Sequence, residues 1–166
     1  QHDRLERSPT MNEQDFMKRA ILISREMMLG LKGGPFGAVV VKDGKIIAEG
    51  HNQVTTANDP TAHAEVVAIR EACRVLGTFK LEGCVIYASC EPCPMCLSAI
   101  YWARLERIYY GNSRVDAAGI GLDDEFLYVE VAKPIEEREI PTVQLMAEEA
   151  LGVFEEWKTM PDKVPY

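Results

Sequence analysis

Three of the five cysteines fall within seven residues, at Cys90, Cys93 and Cys96. Cys93 and Cys96 are three positions apart, so at the start of a helix their sulfurs lie on one side and can bind one metal ion. The free amides of a helix start also favour the thiolate form. The same spacing occurs in redox dithiols, iron–sulfur sites and structural zinc sites. A metal centre therefore requires a fold that brings a further ligand to this helix start.

His63 and Glu65 are the candidates for the rest of such a centre. The run His63-Ala64-Glu65 follows Pro60 and Thr61 at a second predicted helix start. Side chains two positions apart diverge on a regular helix, so both can address one pocket only at the irregular first turn. A lone histidine at a helix start is more often a cap or a core residue. His-x-Glu followed by Pro-Cys-x-x-Cys is, however, the signature of zinc-dependent nucleobase deaminases, and the cysteine run completes it here.

The predicted cofactor is one Zn²⁺ per subunit, held by His63, Cys93 and Cys96. Two thiolates and one neutral imidazole leave a fourth position for water, as in catalytic rather than structural zinc sites. Glu65 is not needed as a ligand and is predicted to act as general base and then as general acid. A fourth sulfur from Cys90 would close the site, but its place at a strand end favours a packed core thiol.

The periodicity of the apolar residues predicts alternating strands and helices. Asp43-Gly44 is a hairpin signal between the first two strands, and Thr10 with Glu13 predicts a capping box at the first helix. We expect helices at residues 12–31, 62–76, 94–104 and 147–158, strands at 37–41, 45–50, 84–89, 107–111 and 142–145, and a loop with a short helix at 112–133. The alternation predicts an α/β fold with a largely parallel sheet, covered by helices on both faces.

The length and charge of the chain limit its organisation and its partners. With 166 residues it is predicted to form one domain over 11–166, preceded by an extension over 1–10. A net charge of −8 with scattered Lys and Arg disfavours a nucleic-acid polymer and favours a small uncharged substrate. No stretch approaches the roughly 20 apolar residues that span a bilayer, and the first ten residues lack the apolar core of a secretory signal. An odd number of thiols then indicates the reducing cytoplasm.

Several motifs together resemble the cytidine-deaminase superfamily, and within it the bacterial guanine deaminases. The motifs are Gly33-Gly34-Pro35-Phe36-Gly37-Ala38, the run from Asn58 to Glu65, the run from Cys90 to Cys96, Tyr101-Trp102-Ala103-Arg104, residues 121–126 and the terminal tyrosine. The resemblance extends over nearly all of residues 11–166. It implies a three-layer α/β/α fold around a five-stranded mixed sheet, and zinc-dependent hydrolytic deamination of guanine to xanthine and ammonia.

The same resemblance implies a set of substrate contacts. Phe36 and Trp102 would pack against the purine, while Asn52, Asp124 and the backbone amide of Ala64 would contact its polar edge. The alternatives are core or helix packing for the two aromatic residues, a strand-end turn for Asn52 and a solvated loop charge for Asp124.

A homodimer whose subunits exchange C-terminal segments is also implied by the resemblance. Tyr166 would then lie over the active site of the partner subunit, where excluding water strengthens electrostatic interactions. Without the resemblance, a last residue is expected to be a frayed end.

Other functions are compatible with the motifs. A relative that deaminates cytosine, guanosine or adenosine in transfer RNA would use the same metal centre, although the last of these would need a basic docking surface. A zinc-stabilised binding protein with a silent site is a further alternative. The intact Glu65 argues against it, because a structural zinc site has no use for an unligated acid.

Overall fold

The computed structural model describes residues 10–166, which form two compact units. The first unit ends at Asp124 and the second is Glu125–Tyr166. The predicted extension over 1–10 lies outside the described residues, apart from Thr10. The prediction that 11–166 form a single domain stays a prediction.

The first unit contains a four-stranded sheet and five helices within residues 10–124. The strands are β1 (Gly37–Lys42), β2 (Lys45–His51), β3 (Cys84–Cys90) and β4 (Arg107–Asn112). The helices are α1 (Glu13–Leu29), α2 (Val54–Ala57), α3 (Ala64–Leu76), α4 (Pro94–Ala103) and α5 (Arg114–Gly119). These bounds confirm the predicted helices and strands of this part of the chain to within a few residues.

The sheet is mixed, and its strand order is β2-β1-β3-β4. β1 is antiparallel to both β2 and β3, whereas β3 is parallel to β4. β1 and β2 are joined by Asp43 and Gly44, whose φ angles of 51° and 72° suit the predicted tight hairpin turn. The expectation of a largely parallel sheet is wrong, since two of the three strand pairs are antiparallel.

The fifth predicted strand, residues 142–145, is not a strand. Its side chains are exposed, and it pairs with no strand within residues 10–166. A run with high β-propensity becomes a strand only where a neighbouring strand accepts and donates its backbone hydrogen bonds. The predicted five-stranded sheet therefore has four strands in the described part of the chain.

Alternate residues of β1 point to opposite faces of the sheet, which gives the first unit its layers. Val39 and Val41 pack in a core with residues of α1. Ala38 and Val40 belong to a second core that includes residues of α3 and α4. Each fully buried valine contributes roughly 1.5–3 kcal/mol of hydrophobic stabilisation. The helices thus flank the sheet on both sides, as predicted.

Helix α3 lies against β2 at very short range, and Gly50 makes this possible. A Cβ atom at Gly50 would lie 2.3 Å from the carbonyl oxygen of Ala64 and 2.6 Å from the backbone nitrogen of Ala68. Both distances are far below any ordinary contact of a Cβ atom. The bare backbone of β2 therefore determines where the start of α3 sits.

The helix starts differ in how they are capped. Asn12 caps α1, since its side chain accepts a hydrogen bond from the amide of Asp15 while the Asp15 carboxylate accepts one from the amide of Asn12. The predicted box of Thr10 with Glu13 is wrong by two residues, because Glu13 is already the first helical residue and Thr10 precedes the cap. His63 and Cys93 occupy the N-cap positions of α3 and α4.

The second unit consists of helix α6 (Glu125–Ala132), a 3₁₀ turn (Ile135–Glu137) and helix α7 (Ala147–Thr159). The helix α7 was predicted, but α5 and α6 give residues 112–133 more helix than the expected loop with one short helix. No residue of Glu125–Tyr166 is buried. Among the described residues, no helix is both long and apolar enough to cross a membrane.

Candidate metal centre and active site

The site forms where two helix starts meet on one face of the sheet. α3 follows β2 and α4 follows β3, and β1 lies between these strands. The turn before α3 is shaped by Asp59, whose carboxylate accepts hydrogen bonds from the amide of Thr61 at 2.9 Å and from its hydroxyl at 2.7 Å. The described side chains of His63 and Cys93 do not cap their own helices, so both are available to a shared ligand.

His63, Cys93 and Cys96 form a group that can hold a metal ion. Their candidate ligand atoms all lie within 4.8 Å of one another. The Nδ1 atom of His63 lies 3.7 Å from the sulfur of Cys93 and 3.4 Å from that of Cys96. Tetrahedral zinc with ordinary bond lengths separates a nitrogen and a sulfur ligand by about 3.6 Å. The spacing of the donors therefore fits zinc.

The three donors share protons in a way that a cation can replace. The pKa of Cys93 is lowered to about 4, mainly by its hydrogen bond with Cys96 and further by that with His63. The pKa of Cys96 is raised by its hydrogen bond with Cys93 and by burial. The hydrogen bond with Cys93 also raises the pKa of His63. The Cys93 thiol is thus ionised while the Cys96 thiol keeps its proton, and a bound metal ion would displace that proton.

Glu65 lies beside this group as a buried carboxyl. It sits in the first turn of α3 with 7% of its surface exposed. Burial raises the pKa of Glu65, while hydrogen bonds with its own backbone amide and with Cys96 oppose this effect. Glu65 lies outside the group of candidate metal ligands in the described residues. A buried carboxyl whose pKa is raised by its surroundings is suited to proton transfer.

Cys90 is buried at the end of β3 and lies outside the His63, Cys93 and Cys96 group. Burial, with smaller contributions from the charges of Glu65 and Asp124, raises the pKa of Cys90 to about 11. A thiol that stays protonated is a poor metal ligand. This environment agrees with the interpretation of Cys90 as a packed core thiol.

Phe36, Asn52 and Ala64 all lie in the first unit, and Ala64 directly follows His63 in the chain. Phe36 is half-buried and packs against the core that contains Ala64. Asn52 follows β2 and is 9% exposed, and its Oδ1 atom accepts hydrogen bonds from the amides of Val54 at 3.2 Å and Gly34 at 3.5 Å. Ala64 is the first residue of α3, where a backbone amide has no partner within the helix.

Asp124, Trp102 and Tyr166 differ in their relation to the site. The pKa of Asp124 is raised by burial and further by the charge of Cys93, so its carboxyl belongs to the same electrostatic environment. Trp102 is 66% exposed and lines a surface cleft of about 390 Å³ with Leu97 and Tyr101. Tyr166 is exposed at the end of the second unit. The substrate contacts of all three stay predictions.

Comparison with known proteins decides the family. Residues 10–112 match the family described as the cytidine and deoxycytidylate deaminase zinc-binding region. The chain belongs to this family. The match includes the histidine, the glutamate and both cysteines of the candidate site, and it ends where β4 ends.

Relatives within the deaminase family extend the likeness beyond that region. Guanine deaminase of Bacillus subtilis is 55% identical over 156 residues, which cover 94% of this chain and 100% of the relative. The X-ray structure of guanine deaminase from Bacillus subtilis superimposes with a TM-score of 0.92 and covers 94% of this chain and 99% of that chain. A structure of guanine deaminase from Nitrosomonas europaea gives a TM-score of 0.65 at 28% identity, covering 72% and 69% of the two chains.

A relative with a different substrate shares only part of the chain. The tRNA-specific adenosine deaminase of Aquifex aeolicus is 45% identical over 102 residues, which cover 60% of this chain and 66% of the relative. The region matched by the family description, residues 10–112, contains the candidate metal ligands and all four strands. The α/β fold predicted from the motifs is confirmed as the cytidine deaminase-like fold.

Two polar residues near the deaminase site were not predicted from sequence. Ser89 is buried in β3, and its hydroxyl accepts a hydrogen bond from the amide of Gly37 at 3.0 Å. Glu91 ties the metal-binding turn to the segment after β4, since its carboxylate accepts from the amide of Arg114 at 3.2 Å. A polar residue inside an otherwise buried apolar strand was the available signal for Ser89.

Proposed function

We propose that this chain is a zinc-dependent hydrolase that deaminates guanine to xanthine and ammonia. The metal centre supports the chemistry, because three ligands beside a buried, unligated carboxyl form a catalytic rather than a structural arrangement. The observation that carries the choice of substrate is the likeness to Bacillus subtilis guanine deaminase, at 55% identity over the full length of that relative.

His63, Cys93 and Cys96 would hold the zinc ion, which supplies the Lewis acidity that makes water nucleophilic near neutral pH. Glu65 accepts a proton from the attacking water as the new carbon–oxygen bond forms at C2 of guanine. It delivers that proton to N3 of the ring, then takes the second proton from the hydroxyl group now bonded to C2 and passes it to the exocyclic amine, which leaves as ammonia as the carbon–nitrogen bond breaks and the C2 carbonyl forms. Burial of Glu65 favours this role, since a raised pKa brings a carboxyl closer to the operating pH.

The base would be held by the residues next to the metal group. Both lone-pair contacts of the Asn52 oxygen go to backbone amides, so this side chain offers its Nδ2 donor to a substrate acceptor. The amide of Ala64 offers a second donor at the start of α3. Phe36 and Trp102 supply aromatic surface, and Asp124 a carboxyl acceptor. Each of these contacts follows the family resemblance and is part of the proposal.

A substrate panel tests this function. Purified zinc-loaded enzyme would be assayed for ammonia release from guanine, guanosine, cytosine, cytidine, adenine and ammeline. We expect turnover of guanine. Strong turnover of another base with none of guanine would contradict the assignment of guanine as the substrate. It would still agree with zinc-dependent deamination as the reaction. A transfer RNA substrate is disfavoured by the net charge of −8.

The substitution Glu65→Gln tests the mechanism. We expect it to keep zinc and to lower kcat by about 10²- to 10⁴-fold, the usual contribution of general acid–base catalysis. Glu71→Gln is the matched control on the same helix, since Glu71 is partly exposed and pairs with Arg74 on the surface. A Glu65→Gln enzyme with full turnover would refute the assigned role.

We also propose that the chain forms a homodimer whose subunits exchange C-terminal segments. We further propose that the enzyme acts in the cytoplasm. Every described apolar side chain of Glu125–Tyr166 lies at the surface or is only partly covered. Phe154 and Val131 are 69% and 68% exposed. Exposed apolar surface of this extent supports association with another chain. The free thiols among the described cysteines suit a reducing compartment.

A complementation experiment tests the exchange. Deleting residues 164–166 is expected to lower kcat without removing zinc, because Tyr166 would no longer cover a site. The truncated subunit would be co-expressed with a Glu65→Gln subunit that keeps its tail. In an exchanged dimer the intact tail covers the competent site of its partner, so the mixture should be more active than the sum of the two separate proteins. Activity equal to that sum would contradict the exchange.

A further inference from the structure

The hydrogen bonding between β1 and β3 switches from backbone pairs to a side chain at the start of β1. The regular register pairs Ala38 with Ala88. At the next position the amide of Gly37 donates to the side-chain hydroxyl of Ser89 at 3.0 Å, in a buried hydrogen bond. Ser89 is 4% exposed. A buried side chain therefore supplies the acceptor just beyond the last paired residues of the two strands.

The two partners of this hydrogen bond lead into different parts of the site. Gly37 follows Phe36, whose carbonyl accepts a hydrogen bond from the amide of Asn52 at 3.3 Å. Ser89 precedes the turn that carries Cys93. One hydroxyl thus connects the start of β1, where Phe36 bonds to Asn52, with the segment that carries Cys93 and Cys96.

Gly37 is also confined on its other side. A Cβ atom at Gly37 would lie 2.4 Å from the carbonyl oxygen of Ala20 and 2.8 Å from the backbone nitrogen of Ser24, both in α1. The start of β1 therefore lies in direct contact with α1 and is bonded to Ser89. Loss of the hydroxyl would leave the Gly37 amide buried without its acceptor, which a protein relieves by moving the strand or admitting water.

We propose that Ser89 is a positioning residue that fixes Phe36, and the backbone hydrogen bond between Phe36 and Asn52, relative to the turn that carries Cys93. This inference rests on the proposed function, because that function makes Phe36 and Asn52 substrate contacts. Ser89 acts through Gly37, and removing its hydroxyl loosens the binding of the base more than it alters the metal centre. The chemical step, which depends on Glu65 and the metal ligands, is then less affected than KM.

The test compares Ser89→Ala and Ser89→Cys with a control, Ser24→Ala. Cysteine keeps the shape of serine but is a weak hydrogen-bond acceptor. The Ser89→Cys variant therefore provides the same test if Ser89→Ala does not fold. The Ser24 hydroxyl donates within its own helix, to the carbonyl of Ile21 at 2.6 Å. We expect both Ser89 variants to keep wild-type zinc content, to raise KM for guanine about tenfold and to change kcat less than about threefold. Ser24→Ala should match the wild type.

Unchanged KM in a folded, zinc-loaded Ser89 variant would overturn the inference. So would a parallel loss of zinc and kcat with KM unaffected, because that pattern belongs to general destabilisation. Hydrogen exchange of the Gly37 amide provides a readout that needs no substrate, and we expect it to accelerate in both Ser89 variants. If the wild type does not act on guanine, the proposed function fails, whereas an unchanged exchange rate at Gly37 would count against the role of Ser89 itself.

Discussion

The contact between β2 and α3 predicts that Gly50→Ala impairs the enzyme through backbone displacement. The added Cβ would lie 2.3 Å from the carbonyl oxygen of Ala64. Ordinary contacts of such an atom begin near 3.4 Å, so the start of α3 must withdraw by about 1 Å. The displaced residues are those that flank His63 and Glu65, whereas Cys93 is held by a different helix.

The expected magnitudes follow from that displacement. Overpacking of a buried contact costs about 1–3 kcal/mol in free energy of unfolding. For a chain of this length that cost lowers Tm by several degrees. A misplacement of about 1 Å among catalytic groups costs about 10²-fold in rate. We therefore expect kcat/KM for guanine to fall about 10²-fold while most of the protein still folds.

The assay is ammonia release per zinc-loaded subunit, together with a thermal unfolding curve. Gly119→Ala is the matched control, because a Cβ at Gly119, the last residue of α5, meets no atom within 4 Å. That substitution should leave activity unchanged and stabilise the helix by up to about 1 kcal/mol. If Gly50→Ala showed wild-type kcat/KM and Tm, the absence of a side chain at Gly50 could not be what positions the start of α3.

Two further predictions concern polar side chains at the end of β2 and directly after it. Asn52→Asp keeps the oxygen that accepts from Val54 and removes the donor, so KM for guanine should rise about tenfold at unchanged zinc content; an unaltered KM would exclude Asn52 as a donor to the base. Burial, with a smaller effect of the Lys32 charge, lowers the pKa of His51. As the pH falls below about 6.5, His51 therefore takes up a proton in the unfolded chain before it does so in the folded chain. This difference lowers the free energy of unfolding. Urea unfolding between about pH 7 and 5 should show a weaker pH dependence in His51→Gln, and an identical slope would contradict this assignment.

The local chemistry of the site could be predicted from sequence because its spacing is short. Cys93 and Cys96 lie within one helical turn, and a helix start is marked by Pro94 and by its flanking residues. His63 is thirty residues from Cys93 along the chain, yet both follow strands that lie beside β1. The joint occurrence of His-x-Glu and Pro-Cys-x-x-Cys in this order, rather than periodicity, indicated that these two helix starts share one metal ion.

Two of the features that were missed depend on long-range contacts, whereas the third is local. The run at residues 142–145 has the composition of a strand, but no sequence pattern states whether a ladder partner is present. The capping residue of α1 depends on where the first turn closes, and Asn12 competes with Thr10 for that position. Ser89 was overlooked because its importance comes from Gly37, which lies 52 residues away.

The position of the metal group at two separate helix starts also affects how abundant the protein is in the cell. An ion that joins residues thirty positions apart binds the folded chain far more tightly than the unfolded one. Each tenfold rise of free zinc above the dissociation constant then adds about 1.4 kcal/mol to stability. Shifts of that size change how much of a protein escapes proteolysis. The zinc supply would therefore control the abundance of this enzyme as well as its activity.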